Sequence, residues 1–344
     1  MPITDKTGTR HRSTSDLSRR RFLTISAAAA GFSMTSAYAG VLPEMPAATW
    51  RGSALGSLAE VKIHHPEKAE AERLVTLAIS ELHRLEQLFS LYHEQSDLLT
   101  LNRNGALEAP KKEFVELLQH SHSWSRISQG MFDPSIQPLW NLYADHFSRP
   151  DTSPSGPDAV AIRDALRRVG MDHVLFDNNR VVFRKKGMGL SFNGIAQGYI
   201  TDKVVELLRA QGIRHSLVNM GETRTIGSRP DGKPWQAAIA DPAGKGGTRP
   251  VIALDDRAMA TSGGYGFSFD VESRFNHIFN PGTGLSPHLH QSVSIVHETA
   301  TAADAMATAA CLMPEDAIWK MLIDAGGGEA HIMSYDGKLT SLRT

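Results

Sequence analysis

The chain has 344 residues, of which 41% are hydrophobic and 21% charged, a composition that excludes disordered, collagen-like and coiled-coil proteins. Its 36 Lys and Arg residues nearly balance 37 Asp and Glu residues, so no overall positive charge favours nucleic-acid binding. A single cysteine, Cys311, excludes a disulfide framework and a cysteine-based metal cluster.

The first 39 residues have the pattern of an export signal. Six basic residues stand against two acidic ones there, and the apolar segment 22–32 follows them. Ser18-Arg19-Arg20-Arg21-Phe22-Leu23 matches the twin-arginine signal, and Ala37-Tyr38-Ala39 matches a small-x-small cleavage site. We therefore predict a signal peptide over 1–39, a flexible lead-in over 40–49, and a periplasmic domain over 50–344. The alternative is a short helix behind a basic tail.

Helices predominate in the first half of the mature chain. Residues 50–63 predict two short strands around a turn at 52–56. Apolar residues three and four positions apart predict long helices over 67–92 and 111–129. Pro157 is well placed as the first residue of a helix over 157–169.

Short β-branched segments predominate in the second half, between further helices. The segments predicted as strands are 173–176, 180–184, 215–219, 235–240, 251–254, 276–279 and 293–296. Helices are predicted over 195–210, 301–312 and 314–325. This order favours an α+β fold built on mostly antiparallel sheet with flanking helices. No later run of about 20 apolar residues predicts a membrane-spanning helix.

The helix predicted over 301–312 carries a pair of oxygen ligands. Asp304 and Thr308 are four residues apart, so they share one face of the helix. Together with a backbone carbonyl, their oxygens suit a hard cation such as Mg²⁺. The alternative is that Asp304 only compensates the dipole at the helix N-terminus.

Three further segments could carry chemistry. The glycine-containing segment 191–199 enters a helix whose free N–H groups suit a pyrophosphate, or it forms an ordinary tight turn. His277 precedes a Pro/Gly turn and could accept a proton from an attacking hydroxyl, with a purely structural histidine as the alternative. Segment 130–134 joins a helix end, an aromatic ring and a carboxylate, or it is an ordinary turn.

Taken in order, these segments resemble the motifs of the ApbE family, the FAD:protein FMN transferases. The resemblance runs from about Trp50 to Met333. The segments that carry it are Leu55-Gly56-Ser57, Phe89-Ser90-Leu91-Tyr92, Ser96-Asp97-Leu98, Leu101-Asn102, Phe132-Asp133-Pro134, Gly194-Ile195-Ala196-Gln197-Gly198-Tyr199, Ala260-Thr261-Ser262-Gly263, His277-Ile278 and Asp304 with Thr308.

The resemblance implies a T-fold-like α+β domain that takes FAD as substrate and cuts its pyrophosphate with Mg²⁺. FMN is then joined through its phosphate to a Thr or Ser hydroxyl of a partner flavoprotein. The metal ligands implied by position are the Ala196 carbonyl, Asp304 and Thr308, and His277 is the implied base. The residues implied to contact FAD are Leu55, Tyr92, Met131, Phe132, Asp133, Asn193, Tyr199 and Ile278.

The chain also departs from the family pattern. Gln197 stands where Lys or Glu is common, Ala307 replaces a carboxylate, and Met220-Gly221-Glu222 has one glycine fewer than Gly-Gly-Glu. Asn280 and Gly282 stand where Asp and Arg often occur. With the twin-arginine signal, these changes resemble a NosX-like branch, whose acceptor would be NosR, the membrane flavoprotein of nitrous oxide respiration. The alternatives are a pyrophosphatase that releases FMN and AMP, and a non-catalytic periplasmic flavin carrier.

Overall fold

The computed structural model describes residues 45–239 and 250–344, so the predicted signal peptide lies outside the described residues. Strands β1 (Ala47–Ala54) and β2 (Ser57–His64) pair antiparallel across a two-residue turn at Leu55 and Gly56. The lead-in predicted over 40–49 is wrong from Ala47 onward, because this residue already pairs with His64 in the sheet.

The described residues form eight α-helices, and the long helices predicted from apolar spacing are confirmed to within three residues at each end. The helices are α1 (Lys68–Phe89), α2 (Asp97–Asn104), α3 (Lys112–Ile127), α4 (Gln137–Phe147), α5 (Ala159–Leu166), α6 (Ala196–Ala210), α7 (Ala300–Ala310) and α8 (Glu315–Asp324). Pro157 does not begin α5. The helix begins at Ala159 and is capped by Asp158, whose carboxylate accepts hydrogen bonds from the Val160 and Ala161 amides, both at 2.8 Å. None of these helices is long and apolar enough to cross a membrane.

Antiparallel sheet forms the other layer, as predicted for an α+β fold. The remaining strands are β3 (Ala106–Glu108), β4 (Val174–Phe176), β5 (Arg180–Phe183), β6 (Ser216–Asn219), β7 (Thr223–Ile226), β8 (Trp235–Ala238), β9 (Val251–Leu254), β10 (Ala258–Ser262), β11 (Ser292–His297), β12 (Glu329–Met333) and β13 (Leu339–Arg343). Eight strands make the main sheet, in the order β1-β2-β6-β7-β10-β11-β12-β13. Smaller sheets, β3-β5-β4 and β8-β9, lie beside it.

The segment 276–279 is not the strand that its apolar residues predict. Only an isolated bridge joins Asn276 to Ser268 there. Phe279 instead packs against helix α4, where its ring lies 4.7 Å from that of Tyr143, and Ile278 packs in the main hydrophobic core. Burial alone therefore accounts for the hydrophobic character of this segment.

Helices α6 and α7 cross at very short range, and this crossing supports the cavity described below. Every residue of α7 except Thr308 is buried. A Cβ atom added to Gly198 would lie 2.2 Å from the Ala300 carbonyl oxygen and 2.9 Å from Cβ of Asp304, so only glycine fits at this crossing. The first turn of α6 is thus pressed against the helix that carries Asp304.

Candidate active site

A cavity of about 390 Å³ brings together most of the predicted site residues. Its wall comes from the β1–β2 turn, the end of α1, the segment before α4, the start of α6, strand β10, the segment 277–281 and helix α7. Ten of the twelve predicted residues line it: Leu55, Tyr92, Met131, Phe132, Asp133, Asn193, His277, Ile278, Asp304 and Thr308. Ala196 and Tyr199 do not line it.

Tyr199 lies in the hydrophobic core, which corrects its assignment as a residue that contacts FAD. Only 1% of its surface is exposed, and its ring meets the edge of Phe89 at 5.7 Å. Its hydroxyl donates a 2.7 Å hydrogen bond to the Glu116 carboxylate on α3. Tyr199 therefore joins α6 to α1 and α3 and is separated from the cavity.

Asp304 lies in the acidic part of the cavity wall. It is 3% exposed, and its Oδ2 accepts a 3.0 Å hydrogen bond from the Gly198 amide, two residues after Ala196. Burial raises the pKa of Asp304 to about 7. Asp304 does not compensate the N-terminus of α7, because Asp202 accepts the Ala300 and Thr301 amides there, both at 2.9 Å.

A second carboxylate, Glu222, faces the same cavity and was not predicted as a site residue. It is 6% exposed and lies on the turn between β6 and β7. Burial and the neighbouring Asp304 charge raise the pKa of Glu222 well above its ordinary value. One hydrogen bond, from the Thr261 amide, acts in the opposite direction and lowers this pKa. The sequence signal was its place in Met220-Gly221-Glu222, the counterpart of Gly-Gly-Glu, which becomes informative only once Asp304 is known to lie nearby.

The residues of this acidic region fit a hard cation. The lining includes Glu86, Asp133, Glu222 and Asp304, and no Lys or Arg is among the described residues that line it. Buried carboxylates require a cation or protons to compensate their charge. The described residues contain no group of three or more His, Cys, Asp or Glu that could hold a metal ion. A site here therefore needs hydroxyl or carbonyl oxygens as well, such as Thr308 Oγ1, which lies 3.3 Å from Ser262 Oγ.

His277 presents one ring nitrogen to the cavity in a defined protonation state. Its Nδ1 lies 3.1 Å from the Phe267 carbonyl oxygen. A carbonyl oxygen can only accept, so Nδ1 carries the proton and Nε2 of the neutral ring has a free lone pair. Burial lowers the pKa of His277, so the neutral ring persists at mildly acidic pH. The arrangement suits a proton acceptor.

The remaining wall is largely apolar and aromatic. Tyr92 follows the end of α1, where Ser90 Oγ accepts the Tyr92 amide at 3.0 Å and fixes the turn. The carboxylate of Asp133 accepts hydrogen bonds from the Ser135 and Met171 amides, so it holds the loop together. Trp140, Tyr265 and Glu86 also line the wall and were not predicted, because nothing in their local sequence distinguishes them.

Two departures from the family pattern have structural roles. Gln197 donates from Nε2 to Ser57 Oγ at 2.5 Å, which ties the start of α6 to strand β2 inside the cavity wall. Asn280 Oδ1 accepts the Gly282 and Thr283 amides at 2.9 and 3.1 Å, so it closes the turn as an aspartate would. Neither side chain adds a positive charge to the cavity.

Comparison with known proteins identifies relatives over most of the chain. A sequence model of the ApbE family matches residues 55–332. A FAD:protein FMN transferase of Haemophilus influenzae is 30% identical over 240 residues, covering 66% of this chain and 68% of that protein. The apo crystal structure of the Pseudomonas stutzeri flavinyl transferase ApbE has a TM-score of 0.70 at 28% identity, covering 87% of this chain and 94% of that one. The ApbE protein of Thermotoga maritima has a TM-score of 0.73 at 28% identity, covering 86% and 96%. The matched range contains every residue that lines the cavity.

Proposed function

Since the chain belongs to the ApbE family, we propose that it transfers FMN from FAD to a hydroxyl group of an acceptor protein, the activity for which its curated relatives are named. The observation that carries the proposal is the meeting of Asp304, Thr308 and His277 in one cavity with an apolar and aromatic wall. Such a cavity offers ring-binding surface, oxygen ligands and a proton acceptor to one substrate.

We further propose that the reaction depends on Mg²⁺. Asp304 and Thr308 would hold the ion through side-chain oxygens, and Ala196 through its carbonyl oxygen. When bound, Mg²⁺ supplies electrostatic stabilisation of the negative charge on the pyrophosphate and on the departing AMP. The lining has no Lys or Arg side chain that could do this among the described residues.

The chain's own groups bind the substrate and move the proton. Tyr92 and the apolar wall offer surface for the rings of FAD. His277 Nε2 accepts the proton of the acceptor hydroxyl as its oxygen bonds to the phosphorus of the FMN half. The bond to the AMP phosphate breaks, and AMP leaves. A phosphoester then links FMN to the acceptor, and docking of the acceptor over the cavity keeps water from taking its place.

The proposed acceptor presents a Thr or Ser hydroxyl in an exported flavoprotein, with NosR as the specific candidate. The twin-arginine motif at Arg19 and Arg20 supports export of the folded enzyme to the periplasm. The departures at Gln197, Asn280 and Ala307 support placement in a NosX-like branch.

The decisive measurement is the mass of the acceptor after incubation with the enzyme, FAD and Mg²⁺. The proposal expects a gain of one FMN less one water, together with release of one AMP. AMP release without modified acceptor would instead identify a pyrophosphatase that yields FMN and AMP. Retention of intact FAD without AMP would identify a flavin carrier.

A variant at Asp304 separates catalysis from substrate binding in the same assay. Asp304→Ala removes the charged ligand of the proposed ion, so transfer falls by orders of magnitude while FAD remains bound through its rings. Transfer by this variant at the wild-type rate and with unchanged Mg²⁺ dependence would contradict the metal assignment.

A further inference from the structure

The turn that carries Glu222 is held rigidly against the first turn of α6. Gly221 has φ +101°, and a Cβ added there would lie 2.5 Å from Cδ of Gln197. The Gly221 amide donates to Asn219 Oδ1 at 2.9 Å, and the Glu222 carbonyl accepts from the Met220 amide at 3.2 Å. The backbone position of Glu222 is thus fixed, and the Thr261 amide bonds its carboxylate at 3.3 Å, as a binding group requires.

The carboxylate at the end of this turn is buried, and no Lys or Arg among the described residues pairs with it. Its Oε2 accepts one hydrogen bond, from the Thr261 amide at 3.3 Å, and its Oε1 has no donor among the described residues. The charge that acts on it is the like charge of Asp304, which lines the same cavity. The Asp304 carboxylate likewise has a single hydrogen-bond donor among the described residues, the Gly198 amide.

We propose that Glu222 is a second carboxylate of the divalent-cation site and holds the ion together with Asp304 and Thr308, directly or through one bound water. The inference deepens the proposed function and rests on it. Asp304 is the one acidic residue of α7, so a second negative ligand has to come from another element. The β6–β7 turn supplies it, because its carboxylate faces the cavity that Asp304 and Thr308 line. Mg²⁺ is commonly bound by one or two carboxylates with substrate phosphate and water completing its coordination.

The test is the binding of Mn²⁺ or Mg²⁺ to metal-free enzyme in the absence of FAD, measured by calorimetry and, for Mn²⁺, by electron paramagnetic resonance. We expect Glu222→Gln to lose roughly 10- to 100-fold in affinity, the loss typical when a group that supports a metal is removed. Glu222→Asp keeps the charge on a shorter side chain and should lose less. Thermal melting supplies a second measurement. Without metal, Glu222→Gln should have a melting temperature no lower than that of the wild type. Added Mg²⁺ should raise the melting temperature of Glu222→Gln less than that of the wild type.

Glu329→Gln is the matched control. Glu329 is a mostly buried carboxylate on β12 that pairs with Arg257 and Arg343, outside the cavity. Its removal changes the net charge equally and should leave cation affinity unchanged.

Unchanged affinity in Glu222→Gln, with affinity lost in Asp304→Asn, would overturn the role of Glu222 and leave the proposed magnesium site intact. Absence of cation binding by the wild type would overturn both. A Glu222→Gln protein that melts far below wild type without metal would show a structural role instead.

Discussion

Replacing Asp304 with Asn measures how much the buried charge of this carboxylate in the cavity wall lowers the free energy of unfolding. Burial raises the pKa of Asp304 from 3.8 to about 7. Between those values the unfolded chain has released a proton that the folded protein still holds, so the stability of the metal-free enzyme falls as pH rises through this window. A difference of about three pH units corresponds to roughly 4 kcal/mol.

Urea unfolding of both proteins in EDTA, from about pH 4.5 to about pH 8.5, tests this value. Near the acid end both side chains are neutral in the folded protein, and only the unfolded Asp304 carboxyl has begun to lose its proton, so we expect the free energies of unfolding to differ by no more than about 1 kcal/mol. Towards the alkaline end the Asn variant should become more stable by up to about 4 kcal/mol, because it has no charge to bury. Replacing EDTA with Mg²⁺ should restore the wild type at alkaline pH and leave Asp304→Asn unchanged. Parallel pH profiles in EDTA, or equal stabilisation of both by Mg²⁺, would refute the reasoning.

Three other predictions concern the base, the helix crossing and export. His277→Ala should lose about 10²- to 10⁴-fold in transfer rate with FAD affinity little changed. Because burial lowers the pKa of the His277 ring, wild-type transfer should hold down to the ordinary histidine pKa of about 6.5 and decline only at lower pH. Loss of FAD binding and thermal stability in His277→Asn would indicate a structural role. Gly198→Ala should lower both melting temperature and Mg²⁺ affinity, because its Cβ would collide with the Ala300 carbonyl; a fully stable, active variant would contradict the close crossing. The double substitution Arg19→Lys and Arg20→Lys should keep the protein in the cytoplasm. If the double variant still fractionates with the periplasm, the twin-arginine assignment is wrong.

The fold could be predicted from sequence where one local period dominates. Helix α1 was predictable because its apolar residues recur every three to four positions over 22 residues. Strand β7 was not, because Thr223, Arg224 and Thr225 resemble a loop in sequence. Its residues are buried only because distant groups satisfy them: Arg224 pairs with Asp202 at 2.5 Å, and Thr225 Oγ1 bonds the Arg257 carbonyl. Such partners cannot be read from a local pattern.

The same limit applies within the site. Ten of the twelve residues predicted from the motifs line the cavity. The motifs did not predict which way each side chain points. Gln197 lines the cavity and Tyr199 does not, because two residues along an α-helix turn by about 200°. Glu222 escaped prediction for a different reason, since its environment depends on Asp304, which is far away in sequence.

The close crossing of α6 and α7 divides the protein into a part that tolerates little change and a part that can vary. At Gly198, added atoms would push backbone against backbone, so substitutions there displace Asp304 itself. The loops at 90–93, 263–266 and 277–281 line the same cavity but do not take part in this crossing. Apart from Tyr92, His277 and Ile278, which have assigned roles, their residues can therefore differ between relatives. When the acceptor protein changes during evolution, we therefore expect the sequences of these loops to change and the residues of the crossing to stay the same. Exchange of the loops between relatives that modify different proteins would be the natural way to redirect the enzyme.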